Sequence, residues 1–377
     1  MGYWKWRNDP MITFGIMSLN MESEHGYITE IAKRADAYGM ECFRFLPSNI
    51  NPITHMVKGK KYHPGKGIWE EDERPLPTLL YDRCFYGEDE HSKQCMPIVS
   101  WLKSRDDITF LGYGLPNKLE LYESLKTSIL SPYLPVSQLV TNEGIVLSEL
   151  EKHKKLILKP INGSQGYGIY YLKKQQKNYH VKTEKQKQII SRIFPNEKKL
   201  LQWLKLLIKQ RKYLVQPYLE LSNNELQPFD IRILLQKNET GKWTDRGKGI
   251  RTGTTGGLLS NLSAGGTVSD FDSWVLTLTP QTKDFLFNEH NYIITNLTDV
   301  LEKMFMPLFE IGLDIGLAKD GSLWILDVNS KPGRKVVLST KPELAETLYL
   351  APLLYGKLLT ESDVNERKVF YAKTLSH

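Results

Sequence analysis

Residues 313–329 read Leu-Asp-Ile-Gly-Leu-Ala-Lys-Asp-Gly-Ser-Leu-Trp-Ile-Leu-Asp-Val-Asn. Two apolar-rich runs flank Lys319-Asp320-Gly321-Ser322, and Asp-Gly between such runs is a strong signal for a tight turn. A symmetric turn sets Ala318 opposite Leu323 and, counting outward, Asp314 opposite Asp327. Asn329, two residues further along, projects from the same face as Asp327. Like charges directly opposed across a sheet repel. A divalent cation removes that cost, and carboxylate and amide oxygens suit Mg²⁺ when phosphates complete its shell. The plainer alternative is a pair of exposed strand-end acids in a slipped register.

Working outward, Lys159-Pro160-Ile161-Asn162-Gly163-Ser164-Gln165-Gly166-Tyr167-Gly168 follows a short apolar strand. Glycines let backbone N–H groups close on phosphate oxygens, and a lysine adds a point charge. No Gly-Lys-Ser/Thr follows, so this is not a Walker loop, and Ser164 does not sit in a nucleophile elbow. By itself the loop fits a plain glycine-rich hairpin equally well. Asn117 is placed to cap a helix over 117–130, with Glu120 three residues on. Lys118 then falls where the helix dipole disfavours a cation unless an anion lies nearby; a solvated surface lysine is the alternative. Gln216-Pro217-Tyr218-Leu219 ends another apolar strand. Asp230 and Arg232 share a strand face by the two-residue period, as an ion pair or as a ribose acceptor and phosphate clamp. Arg251 and the turn Ser260-Asn261-Leu262-Ser263-Ala264-Gly265-Gly266 come next.

The rest of the chain frames these features. Residues 11–46 read strand, helix, strand, 51–77 loop or hairpin, and 78–111 strand, helix, strand, which is a small parallel α/β unit. Residues 197–212 and 292–311 read as helices, the first amphipathic. With 377 residues, 41% hydrophobic and 25% charged, the chain holds two or three globular domains. No run of 18 apolar residues suggests a membrane span, and residues 1–10 lack the apolar core of a signal peptide. Three cysteines without a Cys-x-x-Cys pair argue against a disulfide scaffold or structural zinc and fit a reducing cytoplasm. The net charge of +7 raises a nucleic-acid reading, through Lys198, Lys199, Lys205, Lys209 and Lys212. Because much of the excess lies between Lys173 and Lys212 on amphipathic stretches, a solvated helix face explains it more economically.

The order of these motifs from about Asn117 to Arg334 resembles the ATP-grasp superfamily, and in particular its YheC/YheD-type, endospore coat-associated branch. Kin include glutathione synthetase, D-alanine–D-alanine ligase and the ribosomal-protein glutamate ligases. The resemblance implies an α/β chain: a lead-in at 1–10, a parallel pre-ATP-grasp domain at 11–114, then a two-lobed grasp fold with antiparallel sheets. Lobe A would span 115–215, with the phosphate-covering loop, and lobe B 216–377, with the metal site.

It further implies that ATP is held by Lys118, Lys159, Gly163, Ser164, Gly166, Gly168, Gln216, Tyr218, Leu219, Asp230, Arg232 and Asn261. Metal would sit on Asp314, Asp327 and Asn329, as one or two Mg²⁺ ions with Mn²⁺ as a substitute. Asp327 stands where Glu is usual, and Gln216 where Glu usually leads the adenine strand. Arg251, Arg334 and Lys159 take the catalytic roles, Arg334 in the family's Asn-x-x-Pro-Gly tail. The implied reaction is a carboxylate–amine ligation through an acyl phosphate, with an amino acid, peptide or protein as substrate, in the cytoplasm or at the spore coat. The alternative is a nucleotide-binding spore structural protein without catalysis.

Overall fold

A computed structural model describes residues 11–163, 167–185, 188–260, 262 and 265–361. The expectations for the lead-in at 1–10 and for Ser164, Gly166 and Asn261 lie outside the described residues.

The first sheet is built from β1 (Ile12–Met17), β2 (Met40–Ile50), β3 (Met56–His63), β4 (Ile68–Pro75), β5 (Leu79–Asp82) and β6 (Thr109–Phe110), in the order β4-β3-β2-β1-β5-β6. Its β2-β1-β5-β6 portion is parallel, and the charged stretch 51–77 folds as the antiparallel β3–β4 hairpin. The helices α1 (His25–Ala35) and α2 (Glu90–Ser104) connect it. Ile28, Ile31, Ala32 and Ala35 recur at helical spacing and bury the inner face of α1.

The second sheet holds β7 (Gln138–Leu139), β8 (Lys155–Pro160), β9 (Tyr170–Gln175), β10 (Asn178–Lys185), β11 (Gln188–Phe194) and β12 (Tyr213–Pro217), ordered β11-β10-β9-β8-β12-β7. The chain reaches it through α3 (Lys118–Lys126), while α4 (Glu143–His153) and α5 (Glu197–Gln210) cover one face. Leu156, Leu158, Leu172, Leu200 and Leu204 are fully buried in that layer, each contributing about 1.5–3 kcal/mol of burial.

The third sheet runs β15-β14-β13-β16-β17, from β13 (Phe229–Lys237), β14 (Trp243–Thr252), β15 (Thr267–Asp270), β16 (Glu310–Leu317) and β17 (Leu323–Asn329). Between β15 and β16 lie α6 (Phe271–Val275) and α7 (Pro280–Met304). The helix expected over 292–311 thus begins earlier and stops at Met304. Glu310 and Ile311 belong to β16 instead, where Ile311 continues the alternation Ile311, Leu313, Ile315 into the core. The chain ends in α8 (Lys335–Thr340) and α9 (Ala345–Glu361).

Cores do not follow chain segments. Leu121, Leu125, Leu130 and Leu134 pack on the third sheet, so α3 belongs to that core. Ala351, Leu353, Tyr355 and Leu359 of α9 pack among Phe14, Ile28, Met40 and Leu79 of the first. A long C-terminal return therefore completes the N-terminal unit, which local periodicity could not reveal.

Candidate nucleotide and metal site

Asp314 does pair with Asp327, but by a route other than a symmetric turn. Leu317 pairs with Leu323, Gly316 with Trp324 and Ile315 with Ile325; a bulge at Leu326 then shifts the register so that Asp327 meets Asp314. The turn itself is closed by Ala318 N–H donating to Ser322 O at 2.9 Å. Ile311, Leu313, Ile315, Ile325 and Val328 face the core. By the strand period Gly312, Asp314, Asp327 and Asn329 then share the opposite face.

That face carries a chain of charges. Arg232 Nη1 donates to Asp314 Oδ1 at 2.6 Å, and Arg251 Nη2 lies 2.8 Å from Asp314 Oδ2. Arg251 also grips Asp230 through Nε and Nη2, each at 2.7 Å, and Ser260 Oγ donates to Asp230 as well. Burial opposes ionisation of Asp314, but Arg232 and Arg251 outweigh it and hold its carboxyl below the usual range. At Asp230 burial wins and raises the pKa. Both Asp230 oxygens are engaged, so here it orients Arg251. Gly312 makes room for this arrangement, since a Cβ there would lie 2.5 Å from Arg232 Nη2.

The second sheet supplies the facing wall. Leu156 and Leu158 point into its core, so Ile157 and Lys159 point away from it. Lys159 is half-buried, and its amine has no hydrogen-bond or ion-pair partner among the described residues. Burial, with Lys118 nearby, lowers its pKa to about 8, and Asp327 and Asp314 only partly offset this. Lys118 has found its anion: its amine donates to Asp327 Oδ1 at 2.7 Å. Its backbone N–H donates to Ile161 O at 3.2 Å, fastening the start of α3 to the loop after β8. Asn117 caps α3 through Leu119 and Glu120 N–H, as expected. Asn329 Nδ2 donates to Asp327 Oδ2 at 3.0 Å, leaving its own Oδ1 unpartnered among the described residues. Gly163 and Gly168 adopt φ of 143° and 78°, which only glycine adopts freely.

Gln216 lies on the same wall and donates from Nε2 to Ser137 Oγ at 2.6 Å, leaving Oε1 free among the described residues. Tyr218 meets Tyr171 edge-on at 4.9 Å, and Leu219 follows, half-exposed. Gly316 leaves space for Leu221, whose methyl would lie 2.8 Å from a Cβ there. One rim thus offers apolar and aromatic surface beside an amide oxygen, and the other offers cations.

Arg334 bonds a different set of groups. It is 4% exposed. Its Nη2 donates to Glu310 Oε2 at 2.6 Å and to Tyr81, its Nη1 donates to Pro332 O at 3.0 Å, and its guanidinium lies 3.7 Å from the Tyr27 ring centroid. Arg83 binds Glu24 twice at 2.7 Å and Glu310 at 2.5 Å, while Lys331 reaches Asp82 Oδ1 at 2.7 Å. Tyr81-Asp82-Arg83 is thus a buried seam holding the tail 329–334 against the first sheet. Glu24 and Glu310, its anions, gave no motif signal. Glu184 was also missed: it accepts from Leu258 N–H at 3.0 Å, linking the second sheet to the loop after β14.

Three sheets, two of them enclosing a cleft that sets Lys159 against an acidic hairpin, make up an ATP-grasp fold. The chain belongs to the YheC/D-like ATP-grasp family, which residues 107–359 match. It is 42% identical over 348 residues to the endospore coat-associated protein YheC of Bacillus subtilis (strain 168), covering 91% of this chain and 94% of that one. The endospore coat-associated protein YheD of the same organism is 25% identical over 313 residues, covering 82% and 68%. Among solved structures, D-alanyl-alanine synthetase A from Vibrio cholerae superposes with a TM-score of 0.55 at 11% identity, covering 93% of this chain and 99% of that one. That likeness shows the fold.

Proposed function

We propose that this chain is an ATP- and Mg²⁺-dependent carboxylate–amine ligase. The observation that carries the reading is the Lys159 amine, half-buried with no hydrogen-bond or ion-pair partner among the described residues and facing Asp314 and Asp327. Burying an ammonium without a partner is costly, and a phosphate oxygen would remove the cost.

The cleft holds four cations, Lys118, Lys159, Arg232 and Arg251, against three carboxylates, Asp230, Asp314 and Asp327. That excess suits a polyanion. The oxygen donors also suit Mg²⁺, or Mn²⁺ in its place: an ionised carboxylate has about four lone-pair sites, so Asp314 keeps capacity beyond its two arginine bonds. Asp314, Asp327 and Asn329 would hold one ion or two, Asp327 being one methylene shorter than Glu. When bound, such an ion neutralises phosphate charge that grows in the transition state.

In the proposed reaction a substrate carboxylate oxygen attacks the γ-phosphorus of ATP, the bond to the β-phosphate oxygen breaks, and acyl phosphate and ADP result. An amine then attacks the acyl carbon, phosphate leaves, and the amine proton passes to solvent. Lys118, Lys159 and Arg251 stabilise negative charge on the transferred group. Gln216 Oε1, Tyr218 and Leu219 receive the base. Gly163, Gly168 and the residues between them cover the phosphates and keep water from the acyl phosphate. Arg334 acts through the tail it anchors.

The names of YheC and YheD support an association with the endospore coat. The second reading, a nucleotide-binding structural protein, draws on the acids being neutralised within the chain by Lys118, Arg232 and Arg251. ADP release from ATP and Mg²⁺ with mixed amino acids and short peptides decides between them. Acid- and amine-dependent release supports the ligase. Nucleotide binding that is indifferent to Mg²⁺ and gives no ADP with any acid or amine would overturn it.

A further inference from the structure

β11 is the outer strand of the second sheet, and β10 is its one strand neighbour among the described residues. Seven residues, Gln188-Ile189-Ile190-Ser191-Arg192-Ile193-Phe194, pair with β10 without a register break. Proteins usually blunt such an edge with proline, a bulge, inward charge or a covering segment. This edge has no proline and no bulge and carries one charge, Arg192, and Ile189, Ile190 and Ile193 are 40%, 48% and 58% exposed. Side chains alternate along it, so Ile189 and Ile193 line one face and Ile190 lies on the other, beside α5.

The charge around this edge is lopsided. Residues 173–212 contain thirteen Lys and Arg against two carboxylates, Glu184 and Glu197, whereas the whole chain is only +7, so the remainder is net acidic. Lys182, Lys185, Arg192, Lys198, Lys199 and Lys205 make no ion pair among the described residues. None of this charge belongs to the cleft described above.

We propose that β11 is a docking edge for an acidic polypeptide segment, which adds to the second sheet as a further strand. Main-chain hydrogen bonds supply the pairing and the isoleucines receive alternate apolar side chains. The surrounding lysines match the segment's carboxylates and speed its capture. A nucleic acid would use the charge but leave the unpaired edge and the isoleucines unused, so the acidic peptide fits more of the surface. The proposal is independent of turnover in the cleft.

The test uses the full chain and a fluorescein-labelled (Glu-Val)₄ peptide, followed by anisotropy at low salt. Controls are (Lys-Val)₄, (Glu-Val)₄ N-methylated at alternate residues, and an oligothymidylate of equal charge. Saturable binding of (Glu-Val)₄ is expected, with no binding of (Lys-Val)₄ and roughly tenfold weaker binding of the N-methylated peptide, the loss of one or two main-chain bonds. Ser191→Pro should weaken binding similarly. Because it could disturb the sheet, Ile193→Lys with Arg192→Glu serves as a second variant at exposed side chains, each checked by circular dichroism. Equal affinity for the methylated peptide, tighter binding of oligothymidylate, or unchanged affinity in both variants would overturn the proposal.

Discussion

The cleft and the seam use the same residue types to opposite ends. In the seam, Arg83 and Arg334 are almost wholly buried, and Glu24, Glu310, Tyr81 and Pro332 O supply their acceptors. In the cleft, Lys118 and Asp327 remain about a quarter exposed, and the Lys159 amine has no partner among the described residues. Charge that is matched within the chain fastens the tail to the first sheet; charge left in excess and reachable from solvent is available to a ligand. Substitutions in the seam should therefore cost stability, and those in the cleft should cost binding and turnover.

The largest effect is expected in the seam. Glu310→Ala removes the buried carboxylate that Arg83 and Arg334 share and should destabilise the fold by about 3–5 kcal/mol, read as a lower urea midpoint. A change under 1 kcal/mol would erase the contrast. In the cleft, Asp327→Ala should lower acid- and amine-dependent ADP release by about 10²-fold or more and move the urea midpoint little, because its pair with Lys118 is partly exposed.

Lys159→Met sharpens the comparison, since binding and stability should move in opposite directions. Nucleotide affinity should fall by about 1.5–3 kcal/mol, the loss of one charge-assisted bond. Stability without nucleotide should hold or rise, because a half-buried ammonium with no bonded partner among the described residues disappears; calorimetry and thermal melting read the two. The same amine predicts a pH dependence. Its folded pKa, about 8, lies below the ordinary lysine value, so between the two the unfolded chain carries a proton the folded one lacks. Stability from this group therefore rises as pH climbs from about 8 toward the ordinary lysine range. Nucleotide affinity should fall over the same window, by at most about tenfold per pH unit, and Lys159→Arg should flatten that fall. The smallest effect belongs to the exposed pair of Arg211 with Glu88, 2.5 Å apart. Arg211→Ala should change stability by less than about 1 kcal/mol.

Much of the cleft was legible from residue order because its signals are local. Lys118 directly follows a capping Asn117, Lys159 ends a strand before three glycines, and Asp327 and Asn329 differ by one strand period. The opposition of Asp314 and Asp327 was read correctly, although Leu326 supplies the missing residue as a bulge. Arg334 was given a catalytic role by motif; that it also ties the tail to Glu24 and Glu310 was not legible, because they are 310 and 24 residues away.

The sequence by itself determined the helix caps, the hairpin, the glycine positions, the alternating strands and the order of the motifs that resemble those of the ATP-grasp superfamily. Each depends on contacts a few residues apart, which propensity and periodicity encode. Tertiary structure alone decided that α9 completes the first core, that Tyr81-Asp82-Arg83 is buried, that Asp230 orients Arg251, and that β11 has β10 as its one strand neighbour among the described residues. Those outcomes depend on which distant surfaces meet, and a partner's charge or apolar face leaves no trace in the local pattern of the segment that receives it.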